Sequence, residues 1–111
     1  MAVAHVELSG KARRDLKRLG PGPDRKAVID ALTVGLAAVP QAENLDIKAL
    51  EGATPYLRLR VGDYRIIYRP LDPVEIAEVA RRRGLPKVGA GYLVTRIVHR
   101  RDLDRAVASL L

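Results

Sequence analysis

The chain has 111 residues, 48% of them apolar, with a net charge of +7 and a pI near 10.2. That length suits one domain with one core over residues 1–111, and the charge favours nucleic acid, the ribosome or an acidic protein as partner over a small neutral substrate. The absence of cysteine excludes a disulfide framework, a thiol nucleophile and a thiolate metal site, and His5 and His99 lie too far apart for a local metal motif. No apolar run approaches the roughly 18 residues of a membrane span and no signal-peptide pattern opens the chain, so the expected compartment is the cytoplasm.

Ala2 to Leu8 alternates loosely and predicts a first strand, with Val3, His5 and Glu7 opposite Ala4, Val6 and Leu8. Ser9 is placed to cap a helix on which Ala12, Leu16 and Leu19 recur at helical spacing. Its opposite face, Lys11, Arg13, Arg14, Lys17 and Arg18, reads as a solvated surface in preference to a binding one. Gly20-Pro21-Gly22-Pro23 ends that helix. Asp24 starts another with an apolar stripe of Val28, Ala31, Leu32, Leu36 and Val39, closed by Pro40. The two form a helical hairpin whose apolar side needs a sheet to cover.

Ile47 to Gly52 leads into the next element, with Leu50 as an anchor and Gly52 as a turn; Lys48 reads either as a solvated lysine or as a phosphate ligand. Tyr56 to Arg69 then alternates apolar and basic residues about a Gly62-Asp63 turn, the pattern of a β-hairpin. Period-two geometry places Leu57, Leu59 and Val61 with Tyr64, Ile66 and Tyr68 on the core face. Arg58, Arg60, Arg65 and Arg69 fall on the other. Tyr56 shares that basic face, where stacking on a base and simple packing are both open. Like charges so close repel, and a polyanionic partner explains them most simply.

Pro70 to Gly91 is a long connection. Val74 to Arg83 fits a short helix with Arg81, Arg82 and Arg83 in its last turn, where the helix dipole favours cations, although a strand competes. The remainder reads as a flexible loop, and Arg81 to Arg101, without an acid, reads as a basic flap beside the site or a solvated charge run. Tyr92 to Arg101 predicts a further strand whose alternation groups Arg96, Val98 and Arg100 with the basic face. From Asp102 to Leu111, Leu103, Val107 and Leu110 fall on one helical face, which either docks on the sheet or offers a groove to a partner.

Lys48-Ala-Leu-Glu-Gly52, Leu57-Arg-Leu-Arg-Val-Gly-Asp-Tyr-Arg-Ile-Ile-Tyr68 and Val98-His-Arg-Arg-Asp-Leu103, in this order of elements, resemble the RelE/ParE superfamily of bacterial toxins from type II toxin–antitoxin systems. The resemblance covers nearly the whole chain, apart from the Pro70–Gly91 insertion, where the family usually has a much shorter turn. It implies an α+β fold, an N-terminal helical hairpin packed on a small, mostly antiparallel β-sheet with a C-terminal helix. It also implies a cognate antitoxin as partner; no cofactor and no metal are expected.

RelE-like members are ribosome-dependent endoribonucleases that cut mRNA, the activity expected here, whereas ParE-like members inhibit DNA gyrase by binding; a catalytically inactive module that only binds its antitoxin is a further alternative. On the first branch the 2′-OH attacks the adjacent phosphate, and the resemblance assigns Arg65 and Arg100 to clamp that phosphate. Arg58 and Arg60 stand where the family often has lysines. With Lys48, Arg69, Arg96 and Arg101 they are the expected RNA-binding set. Arginine is a poor proton carrier, so His99 is the candidate acid or base, although strand alternation points it away from the arginines. Asp104 falls close to the position where RelE-like nucleases often carry a tyrosine.

Overall fold

The computed structural model describes residues 4–39, 41, 44–86 and 89–110. Strand β1 (His5–Leu8) leads into α1 (Gly10–Arg18), and α2 (Pro23–Asp30) continues through a π-helical segment, Ala31–Leu36. Strands β2 (Ile47–Ala49), β3 (Leu57–Val61) and β4 (Tyr64–Pro70) follow, then α3 (Pro73–Arg83), β5 (Gly91–His99), a 3₁₀ turn at Arg100–Asp102 and α4 (Leu103–Ala108). The sheet runs β1-β5-β4-β3-β2, with β1 parallel to β5 and every other pair antiparallel. This is the α+β arrangement expected, with β2 as an added edge strand where the sequence indicated only a lead-in.

Local chemistry explains the elements. Ser9 caps α1 through its Oγ, which accepts from the Ala12 N–H at 3.1 Å and donates to the Thr95 carbonyl at 2.9 Å, tying the helix start to β5. Gly62 adopts φ +57° in the β3–β4 turn, a left-handed conformation that suits glycine. Asp72 and Glu75 form a reciprocal capping box on α3, Gly84 closes it in the left-handed conformation, and Arg81, Arg82 and Arg83 occupy its last turn. The insertion is therefore helical over Pro73–Arg83.

One sheet face carries the main core. Ala12, Val28, Leu32 and Leu36 from the helical hairpin bury Leu59, Ile66, Tyr68, Val94 and Ile97, each large side chain contributing about 1.5–3 kcal/mol. Val39 is the exception to the predicted stripe: it lies past the helical segment and is 44% exposed. Pro40, expected to close the helix, lies outside the described residues, as do the first residues of the predicted strand.

The other face is not purely basic. Ile67, Val98 and Ala106 form a second buried cluster, joined by Leu50, Tyr56, Leu103, Val107 and Leu110. The terminal helix thus docks on its own sheet and covers the middle of the face that the arginines share. Tyr56 packs in this cluster.

Candidate functional site

At the turn end of the hairpin the structure gathers four arginines. Arg60 stands directly across from Arg65 in the β3–β4 register, and Arg58 lies two residues away on the same face. Arg100 arrives from a different element. Strand β5 ends at His99, one residue pair beyond Arg65–Val98, and the 3₁₀ turn swings Arg100 to Asp63, its N–H donating to the Asp63 carbonyl at 2.7 Å. Its Nε is 3.6 Å from the Asp63 carboxylate. The prediction that Arg100 belongs to the strand itself is corrected, while its neighbourhood with Arg65 stands.

Arg65 is held by the backbone of the adjoining turn. Nη1 donates to the carbonyls of Gly62 at 2.9 Å and Tyr64 at 3.0 Å. Its pKa is lowered from the ordinary arginine value, by loss of hydration first and then by Arg60, Arg58 and Arg100. The guanidinium nonetheless stays charged. Asp46 is the local counter-ion: Arg58 Nη1 donates to its carboxylate at 3.0 Å and Arg60 lies 4.0 Å from it. The Arg58 hydrogen bond, opposed by partial burial and assisted by the charges of Arg58, Arg60 and Lys48, holds Asp46 below the usual carboxylate range. Lys48 pairs across from Arg58 on β2 and is exposed, so it extends the same surface. Sequence reading missed Asp46 and took Asp63 only as a turn residue, although both are the acids flanking the basic strands.

Three of the predicted site residues lie elsewhere. Arg69 is held by α3 in a two-pronged pair with Glu75, both contacts at 2.8 Å. Arg96 keeps the phase of Val98 and Arg65, opposite Ile67, but it lies past Val94, where β1 stops covering β5, and its side chain turns round that open edge. Its guanidinium pairs instead with Asp15 on α1, Nε to Oδ2 at 2.7 Å and Nη2 to Oδ1 at 3.1 Å. His99 faces the helical side, its ring edge-on to Tyr64 at 5.6 Å between centroids, and its Nδ1 accepts from the Arg101 N–H at 3.2 Å. It lines a cleft of about 440 Å³ between α1 and α4 with Asp15, Arg96 and Asp102. Arg101 is exposed in the 3₁₀ turn.

Chemically, the cluster presents planar forks on a fixed strand scaffold, with Arg60 and Arg100 more than half exposed. Such groups pair two oxygens of a phosphate at once and offset developing negative charge. They do not transfer protons near neutral pH. Among the described residues no cluster of acids and histidines is placed to hold a metal ion.

Comparison with known proteins agrees with this architecture. Residues 6–86 match the family described as the ParE toxin of the type II toxin–antitoxin system parDE. Comparison with curated protein sequences gives no match. Among solved structures, the chain is similar to one in the RelB–RelE antitoxin–toxin complex from Methanococcus jannaschii, at 22% identity and a TM-score of 0.54, over 90% of this chain and 96% of that one. It is also similar to one in the toxin–antitoxin complex RelBE2 from Mycobacterium tuberculosis, at 24% identity and TM-score 0.58, over 89% and 100% of the two chains. A third likeness is to the archaeal RelE–RelB complex from Pyrococcus horikoshii OT3, at 19% identity and TM-score 0.57, over 87% and 94%. At these identities the structural likeness establishes the fold, and the family match covers most of the sequence. The chain belongs to the ParE toxin family of type II toxin–antitoxin systems, within the RelE/ParE superfamily.

Proposed function

We propose that this toxin is a ribosome-dependent mRNA endoribonuclease that acts in the cytoplasm. A cognate antitoxin restrains it, as the complexes of its structural neighbours suggest. The carrying observation is the convergence of Arg58, Arg60, Arg65 and Arg100 on one exposed corner, at the cost of mutual repulsion. Arg65 and Arg100 grip the scissile phosphate, and Arg58, Arg60 and Lys48 hold its neighbours. The 2′-oxygen attacks phosphorus, the bond to the 5′-oxygen breaks, and a 2′,3′-cyclic phosphate remains. The proton leaving the 2′-OH and the one taken up by the 5′-oxygen pass through water or a ribosomal group, because arginine does not carry them. Arg69 and Arg96, each tied to a carboxylate, have structural roles, and Arg101 is left for outer phosphate contacts.

The test is primer extension on a reporter mRNA incubated with the purified protein, with and without programmed ribosomes. New 5′ ends are expected only with ribosomes. Arg65→Ala and Arg100→Ala are each expected to reduce their rate of appearance by about 100-fold or more, the scale of losing a charge-stabilising donor. Unchanged cleavage in both variants would remove the assignment.

One observation favours a second reading, gyrase inhibition by binding. His99, the candidate proton carrier, is committed to Tyr64 and the Arg101 N–H on the far side of β5. In that case mRNA stays intact and purified gyrase accumulates cleaved DNA complexes.

A further inference from the structure

Glu7 on β1 is a meeting point of two helices distant in sequence. Its Oε1 accepts from Arg83 Nη2, lies 3.4 Å from Arg82 Nη2 and 3.9 Å from Arg13 Nη2, while Oε2 is 2.6 Å from His5 Nε2. The carboxylate is only 12% exposed, whereas the side chains of Arg13, Arg82 and Arg83 are 60%, 54% and 44% exposed. The anion is inside and the cations face out, so solvent meets a positive ridge. Lys17, one turn beyond Arg13 on the exposed side of α1, prolongs it.

The α3 part of the ridge lies on the same sheet face as the four-arginine cluster, and Arg13 joins it round the β1 edge from α1, which packs on the other face. Val6 and Leu8 of β1 pack toward the main core, so His5 and Glu7 point to the opposite, arginine-bearing face. The insertion helix α3 is fixed over that face at both ends, by Glu75 on Arg69 and by Arg82 and Arg83 on Glu7. From β1 to β3 is three strand spacings, about 14 Å at ~4.8 Å each, and Glu7, level with Arg69, is offset from the Arg60–Arg65 pair by four residues, about 13 Å, along the strands, so the corners lie roughly 20 Å apart. A repeating anion reaches both corners.

We infer that the ridge formed by Arg13 and Lys17 of α1 with Arg82 and Arg83 of α3 is a second contact surface for the sugar–phosphate backbone of RNA, separate from the arginine cluster. The choice of RNA over an acidic protein rests on the function proposed above; the ridge geometry does not. Glu7 serves as its internal anchor, gathering guanidiniums whose outer edges remain available for phosphate.

The experiment measures binding of a fluorescent single-stranded RNA to the full chain across a salt series. One variant is Arg13→Gln/Lys17→Gln/Arg82→Gln, which leaves Arg83 and His5 on Glu7. Each lost phosphate contact lowers the slope of log affinity against log salt by about 0.7, so the triple variant is expected to lose about 2 in slope and at least tenfold in affinity at 0.1 M salt. Arg82→Gln alone is expected to lose about 0.7, which keeps the test open should the triple variant melt early. Unchanged slope and affinity in folded protein overturn the inference. So does a triple variant that binds RNA normally but releases a poly-glutamate peptide, which marks an acidic protein as the partner. Arg58→Ala/Arg65→Ala is titrated in parallel. If it binds RNA unchanged while the ridge variant fails, the ridge stands and the cluster reading falls.

Discussion

Asp15 is the one charged side chain among the described residues that is buried, at 7% exposure, and its position is unforgiving. It accepts from the Ile97 N–H at 2.9 Å as well as from Arg96, so it satisfies the edge of β5 where β1 no longer covers it. Asp15→Ala leaves a backbone donor and a partly covered guanidinium without their acceptor. The expected loss is about 2–4 kcal/mol, read as a lower urea midpoint with an unchanged m-value. Arg60 is the opposite case. It stands across from Arg65, and directly opposed like charges destabilise a strand pair by about 0.2–1 kcal/mol. Arg60→Gln is therefore expected to raise the unfolding free energy by that amount while weakening RNA binding, since sites held for function are commonly not optimal for stability. A drop in stability would mean that the 4.0 Å approach of Arg60 to Asp46 outweighs the repulsion.

At the scale of elements, what could be read from the sequence followed its periodicities. The β3–β4 hairpin was legible because alternation and Gly62-Asp63 agree, and α1 because Ser9, Ala12, Leu16 and Leu19 fall at cap and core spacings. Arg96 keeps the register that groups it with Val98, but its pairing with Asp15 was not legible, because that partner is 81 residues away. The cluster around Ile67 and Val98 was hidden for a different reason, since a strand buried on both faces loses its alternation where α4 lies on it. The Arg69–Glu75 pair required knowing that the insertion folds back as α3. That pair gives α3 a pH dependence. The Arg69 hydrogen bond, then the Asp72 N–H, lowers the Glu75 pKa from 4.5 to about 2. A lowered carboxylate pKa contributes stability that is complete above about pH 4.5 and is lost as pH falls toward 2. Glu7, which Arg83 and His5 hold below its ordinary value against the effect of burial, acts in the same direction. Hydrogen exchange is expected to show α3 amides losing protection between pH 4.5 and 2 before those of β4 and β5, with Glu75→Gln abolishing most of the step. Simultaneous loss in α3 and the sheet would show that the pair does not control the helix.

Across the whole molecule, charge is arranged to be completed from outside. The helical hairpin seals one sheet face with apolar packing, and the other is divided among α4, α3 and the arginines. At the arginine cluster and the ridge the counter-ions are shared: Asp46 serves Arg58 and Arg60, Asp63 serves Arg100, and Glu7 serves three arginines and His5. With a net charge of +7, the folded state concentrates repulsion that the unfolded chain spreads out. A polyanion that binds only the folded state must then stabilise it, by about 2.7 kcal/mol at a concentration 100 times its Kd. For a chain of this size each kcal/mol moves the thermal midpoint by about 4–8 °C. A short single-stranded RNA at saturating concentration is accordingly expected to raise Tm by about 10 °C or more in low salt, and by far less at 0.5 M NaCl, where screening and counter-ion competition take over. Sodium chloride alone at the ionic strength of the RNA is expected to give only a small rise. An RNA shift that survives high salt would show that contacts to the bases, and not this distribution of arginines, carry the binding.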